Sequence, residues 1–120
     1  MGLRELLDIE VEEKGDGEAR LAMRAGDDHL NDGGIVHGGA IQTLLDCAMG
    51  SAVCSTLDDE QPVTVEMKVN FLEPAEKGVL VANAKVRRPG KKFIVVEAEA
   101  FQKDSGEHVA YATATFTALG

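Results

Sequence analysis

Apolar residues in this chain recur with two different periods. From His37 to Thr56, Ile41, Leu44, Leu45, Ala48, Met49, Ala52 and Val53 fall at i, i+3, i+4, i+7, i+8, i+11 and i+12, one continuous helical stripe. Elsewhere the period is two. "IEVEEKGDGEARLAMRA" alternates on either side of Asp16-Gly17, a dipeptide that closes two-residue hairpins. "VTVEMKVNFL" places Val63, Val65, Met67, Val69 and Phe71 on one face. "KGVLVANAKVRR" and "KKFIVVEAEAFQK" flank a Pro-Gly turn and predict a second hairpin. "DSG" then turns the chain into "EHVAYATATFTAL", where Val109, Tyr111, Thr113 and Thr115 alternate with alanines and Phe116 follows less regularly. Ahead of the long helix, "GLRELLD" reads as a short helical turn, and "GDDHLNDGGIVHGG" is a loop dense in breakers.

The predicted order is β-β-α-β-β-β-β. Consecutive strands joined by short turns argue for an antiparallel sheet, with the one long helix packed on its face. At 120 residues the chain is a single domain, 1–120, of the α+β class. Aromatic residues make up only 4% and Trp is absent, so the core must be aliphatic.

A net charge of -9 excludes general binding to nucleic-acid phosphates, which needs a basic footprint. Cys47 and Cys54 lie seven apart, about 10 Å along one helix and too far to bond. Two buried thiols in a reducing cytoplasm is the simplest reading. "MGLRELLDIEVEEK" has charges throughout and no apolar segment, so neither a secretory leader nor a membrane anchor is expected.

The helix has an unusual second face. Gln42, Thr43, Asp46, Cys47, Gly50, Ser51 and Cys54 lie opposite the apolar stripe. A solvent face would carry Lys, Glu or Arg; here Asp46 is the only charge. A single sheet covers one side of a helix, so a second copy of the chain is the economical cover, and a homodimer with two approaching helices is expected. A carboxylate on such a face must be partnered or wet. Asp46 either makes a hydrogen bond across the subunit contact or does chemistry, and the pattern alone leaves both open.

Gly38 and Gly39 stand where a helix start leaves backbone N–H groups unsatisfied and its dipole positive. Glycine lets a ligand come close to that backbone, which is an oxyanion hole in outline. His-Gly-Gly by itself can equally be a simple chain turn. Eight residues separate Gly38 from Asp46, about 12 Å along one helix, so one helix cannot bring both to the same carbonyl carbon. If they cooperate, Asp46 comes from the other subunit. The helices then run antiparallel about a two-fold axis, and each dimer holds two shared sites.

With N-x5-HGG-x6-D (Asn31 to Asp46) and "GAIQTLLDCAMGSA", the chain resembles the hotdog-fold acyl-CoA thioesterases of the PaaI-type, phenylacetate-degradation branch. The resemblance covers nearly the whole chain, and "VTVEMKVNFLEPA" is similar to the family's first strand beyond the helix. It implies an antiparallel sheet of five to six strands wrapped around one long central helix, and dimers that pair into homotetramers. It also implies residue roles. The Gly38 N–H polarises the thioester carbonyl, and Asn31 assists there or shapes the loop. His37 orders the loop and contacts the thioester region, with Gly39 beside the substrate. Asp46 is the catalytic carboxylate, activating water or attacking directly. Thr64 helps to position water, although β-propensity alone also accounts for it.

A thioester is already activated, so a carboxylate, a water and an oxyanion hole suffice. No cofactor or metal is expected, since His29, His37 and His108 lack a ligand pattern. "RRPGKK" is the densest positive patch. The resemblance implies that this hairpin contacts coenzyme A through Arg87, Arg88, Gly90, Lys91 and Lys92; the alternative is a solvated turn whose cations guard strand ends. Gly50, Ser51 and the nearby alanines leave room for an aryl ring or a medium-length acyl chain. Two other readings remain on the same fold: a non-catalytic acyl-CoA-binding or regulatory module, and a 3-hydroxyacyl thioester dehydratase. Binding alone does not require Asp46, and no dehydratase-like Asp-His or Glu-His pair is present.

Overall fold

The computed structural model describes all 120 residues. A four-residue helix, α1 (Leu3–Leu6), leads into a hairpin of β1 (Ile9–Gly15) and β2 (Glu18–Ala25). Its turn residues Asp16 and Gly17 have φ of 53° and 78°, the doubly positive turn whose twist matches the strands it joins. The long helix α2 (Gly38–Cys54) follows, and then β3 (Gln61–Phe71), β4 (Gly78–Pro89), β5 (Ile94–Gln102) and β6 (His108–Leu119).

All six strands form one antiparallel sheet in the order β1-β2-β4-β5-β6-β3. The sheet curls around α2, which touches every strand. This is the α+β hotdog architecture. Every residue of the predicted helical stripe is buried, and Leu44, Leu45, Ala48, Met49, Ala52 and Val53 have no exposed surface. The sheet meets them with small side chains: Ala82, Ala84, Ala98, Ala100, Ala110, Ala112 and Ala114 all face the core. These alanines let the helix lie close, and its Leu and Met residues fill the space. Each such buried side chain contributes about 1.5–3 kcal/mol. No helix is long and apolar enough to cross a membrane.

Four details differ from the sequence pattern. The helix is shorter at both ends, because His37 caps its start and the Ser55 and Thr56 hydroxyls donate to the carbonyls of Ala52 and Val53 at its end. β3 lies outside β6 rather than beside β4, so residues 72–77 carry the chain from the sheet edge back to its interior. A bulge at Val65 breaks the expected single face of β3. Val63 and Val65 point outward (36% and 51% exposed), while Thr64, Met67 and Val69 are turned partly inward. Finally, the second face of α2 is half-covered by its own chain, because the curled sheet brings β3, β6 and the β1–β2 turn against its flanks: Thr64 reaches Asp46, Phe116 lies 3.6 Å from a Cβ placed on Gly50, and the Gly17 N–H donates to Ser55 Oγ at 2.8 Å.

Candidate active site

The loop before α2 is closely knit. His29 is buried, its Nδ1 accepts from the Gly26 N–H at 3.1 Å, and its Nε2 lies 2.6 Å from the Leu7 carbonyl oxygen. The two contacts fix the tautomer: Nε2 carries the hydrogen and donates. The His29 carbonyl accepts the His37 N–H at 2.7 Å, which aims the residue preceding the helix. Between them, Asn31 Oδ1 accepts from the N–H groups of Gly33 (2.9 Å) and Ile35 (3.3 Å). The side chain thus shapes the loop through its oxygen and leaves its amide NH2 free.

His37 is the N-cap, and its Nδ1 accepts from the Gly39 N–H at 2.9 Å. A Cβ on Gly39 would come 3.2 Å from that nitrogen, so the small residue serves the cap. Ala40 and Ile41 donate to the His37 carbonyl. The Gly38 N–H is left with no partner in the chain, at the positive end of a helix. Gly38 and Asn31 line one cleft of about 320 Å³, together with Ile35, Ile41, Phe71, Leu72, Glu73 and Pro74. Two potential donors therefore converge on a largely apolar cleft.

Asp46 is elsewhere. It sits two turns along α2, half-buried, and accepts a hydrogen bond from Thr64 Oγ1 at 2.7 Å. The bulge at Val65 is what turns Thr64 toward the helix. Neither residue lines the Gly38 cleft, and the helical rise puts Asp46 about 12 Å from Gly38 along the axis. Cys47 is next to Asp46. Burial pushes its thiol pKa up and the Asp46 carboxylate pushes the same way, so it stays a neutral thiol rather than a rival nucleophile.

The basic hairpin belongs to the Asp46 end. Pro89 pairs with Ile94, Ile94 with Phe116, and Phe116 with Thr64. Arg88, Gly90, Lys91, Lys92 and Phe93 line a surface cleft of about 370 Å³. Arg87 is turned aside to Glu97, 3.5 Å away. The Lys92 carbonyl accepts from Thr117 Oγ1 at 2.8 Å, which holds the turn against β6. Gly90 is obligatory, since a Cβ there would fall 2.2 Å from the Phe93 carbonyl oxygen.

A model of the thioesterase superfamily matches residues 33–109. The chain belongs to the thioesterase superfamily. A candidate esterase of Saccharolobus solfataricus is 38% identical over 93 residues, covering 78% of this thioesterase-superfamily chain and 66% of the relative, just under two thirds of its length. Among solved structures, the conserved protein PA5202 of Pseudomonas aeruginosa superposes with a TM-score of 0.93 at 35% identity, covering 99% of this chain and 94% of that one. The PaaI protein of E. coli, from the phenylacetic acid degradation operon, gives 0.90 at 27% identity, covering 98% and 83%. A hypothetical thioesterase of Streptococcus pneumoniae, solved with coenzyme A, gives 0.86 at 26% identity, covering 93% and 89%.

Within this superfamily member, the expected site residues fall into two groups, Asn31 with Gly38 and Asp46 with Thr64. Sequence reasoning passed over His29, Phe71 and Glu73. His29 carried a signal: a histidine set in a Gly-rich loop needs a partner for each nitrogen. Phe71 and Glu73 carried none, because only the return of β3 along the helix brings them to the donor cleft.

Proposed function

We propose that the protein is an acyl-CoA thioesterase, hydrolysing an aryl- or medium-chain acyl-CoA to the free acid and CoA in a site shared by two subunits. The observation that carries this reading is the free Gly38 N–H, which stands about 12 Å from the Asp46–Thr64 pair on the same helix. Each chain holds one half of a hydrolytic site at the start of α2 and the other half at its middle. Antiparallel pairing of two helices about a two-fold axis sets the donor half of one chain against the carboxylate half of the other.

In that arrangement Gly38 N–H and the free Asn31 amide receive the thioester oxygen, and negative charge developing on it meets the positive helix end. Asp46 of the facing subunit removes a proton from water as it attacks the carbonyl carbon, with Thr64 holding the carboxylate oriented. Direct attack by Asp46, giving an anhydride that water then opens, uses the same geometry. Either route breaks the C–S bond, releases CoA and leaves the acid. The basic hairpin lies at the Asp46 end of its own chain, so the chain that supplies the carboxylate also supplies Arg88, Lys91 and Lys92 for the CoA phosphates.

Support for the substrate class comes from the superfamily membership and the coenzyme A bound to the streptococcal relative. Dimers pairing into a tetramer complete the proposed assembly. The reading is tested by assaying thiol release from a panel of aryl and straight-chain acyl-CoA esters. Turnover of at least one class that is lost in Asp46→Asn supports it, and turnover retained by Asp46→Asn refutes the assigned role.

A further inference from the structure

The cleft that contains the Gly38 N–H has one ionisable side chain. Its walls are Ile35, Ile41, Phe71, Leu72 and Pro74, and among them stands Glu73. The tip of the Phe71 ring reaches to 3.3 Å from the Cβ position of Gly38, so an apolar surface begins directly at the donor. Glu73 is anchored through its N–H to the Val109 carbonyl at 3.2 Å. Its carboxylate has no cationic partner, because all five ion pairs of the chain lie elsewhere. The hairpin cations of the same chain lie beyond Asp46, away from it, and those of the facing subunit are taken up by the CoA phosphates in the proposed site.

The apolar walls beside Gly38 suit a hydrocarbon better than the polar pantetheine arm, so a thioester whose oxygen meets Gly38 lays its acyl chain along them. We infer that Glu73 is a charge filter on the acyl group: the site admits uncharged acyl chains and disfavours those ending in a carboxylate. This rests on the thioesterase reading and deepens it, since it names the substrate class. The physical basis is like-charge repulsion in a partly apolar cleft without a counter-ion. At a few ångströms this is worth about tenfold in an equilibrium or rate constant.

Hexanoyl-CoA and adipoyl-CoA isolate the effect, since they have the same carbon count and differ in one terminal carboxylate. Steady-state kcat/KM is measured for both with wild type, Glu73→Gln and Glu73→Lys; residue 73 is exposed, so both variants fold. The expected result is a wild-type preference for hexanoyl-CoA that narrows about tenfold in Glu73→Gln and further in Glu73→Lys. Added salt, at about 0.5 M, should narrow the wild-type preference as well. A hexanoyl-to-adipoyl ratio that is the same in all three proteins overturns the filter. So does a parallel change in both substrates, which would place Glu73 in the reaction or on the CoA side. Wild type that hydrolyses neither ester refutes the thioesterase reading and the filter with it. Hydrolysis of hexanoyl-CoA with a ratio indifferent to residue 73 refutes the filter alone.

Discussion

Thr64 donates its hydroxyl hydrogen to Asp46 Oδ1 over 2.7 Å, and no basic side chain pairs with that carboxylate. A strand therefore fixes the rotamer of the only charged residue on α2. The remaining lone pairs of Asp46 are free of partners from its own chain, which is what a base or nucleophile requires.

Removing the charge should separate chemistry from folding. Asp46→Asn keeps an acceptor for Thr64, so the fold and CoA binding persist while kcat drops by about 10²–10⁴. Thr64→Val keeps the carboxylate but releases it, and kcat should fall by about tenfold or more, the worth of a hydrogen bond to a charged group. Thiol-release kinetics beside circular dichroism check both. A Thr64→Val enzyme with wild-type kcat would show that Asp46 needs no such hold.

The cap at His37 is a stability claim. His37→Ala removes the acceptor for Gly39 N–H and should cost about 1 kcal/mol, whereas His37→Asn supplies another acceptor and should recover most of it. Urea denaturation midpoints read the difference. Equal midpoints for the Ala and Asn variants would contradict the cap.

Cys47 sets an alkaline limit. Burial makes its thiol ionise at higher pH in the folded chain than the ordinary 9.0 of an unfolded one. Above that value the unfolded chain gives up its proton more readily, so stability is intact below about pH 9 and declines as pH rises through the folded pKa. Cys47→Ser should make the decline shallower. Iodoacetamide labelling followed by mass spectrometry should find Cys47 slow at pH 8 and faster above pH 9. Rapid labelling at neutral pH would contradict the raised value.

The hairpin cations should act on binding rather than on chemistry. Replacing Arg88, Lys91 and Lys92 together with Gln should raise KM for an acyl-CoA about tenfold and weaken its salt dependence, with kcat within about twofold. The matching N-acetylcysteamine thioester, which lacks the nucleotide, should be unaffected. An unchanged KM for the CoA ester would leave the patch as a solvated turn.

Much of this architecture was legible from spacing alone. The stripe from Ile41 to Val53 fixes the helix, and Asp16-Gly17 fixes the first turn, because each signal is local. The bulge at Val65 was not legible: one extra residue in a β-branched run changes no composition, yet it decides whether Thr64 meets Asp46. The position of β3 beyond β6 was hidden for a related reason. Strand order depends on pairings between residues 40 or more apart in sequence, such as Thr64 with Phe116. The eight-residue gap from Gly38 to Asp46 was readable, and the proposal of a shared site rests on it. His29 escaped because its partners, Leu7 and Gly26, are backbone groups that no side-chain pattern reveals.

The shared site can be tested by complementation between two inactive chains. Gly38→Pro deletes the proposed donor N–H at the first helical position, where proline is tolerated, and the extended His37 before it (ψ 135°) suits a following proline. Asp46→Asn deletes the carboxylate. In a mixed dimer of the two, one site carries both lesions and the other is wild type. Random mixing makes half of the dimers hybrid, so activity should return to about a quarter of the wild-type value per chain. Recovery near that fraction, from two parents that are each inactive, is the predicted result. Verified hybrid dimers that stay as inactive as the parents would contradict a site built from two chains.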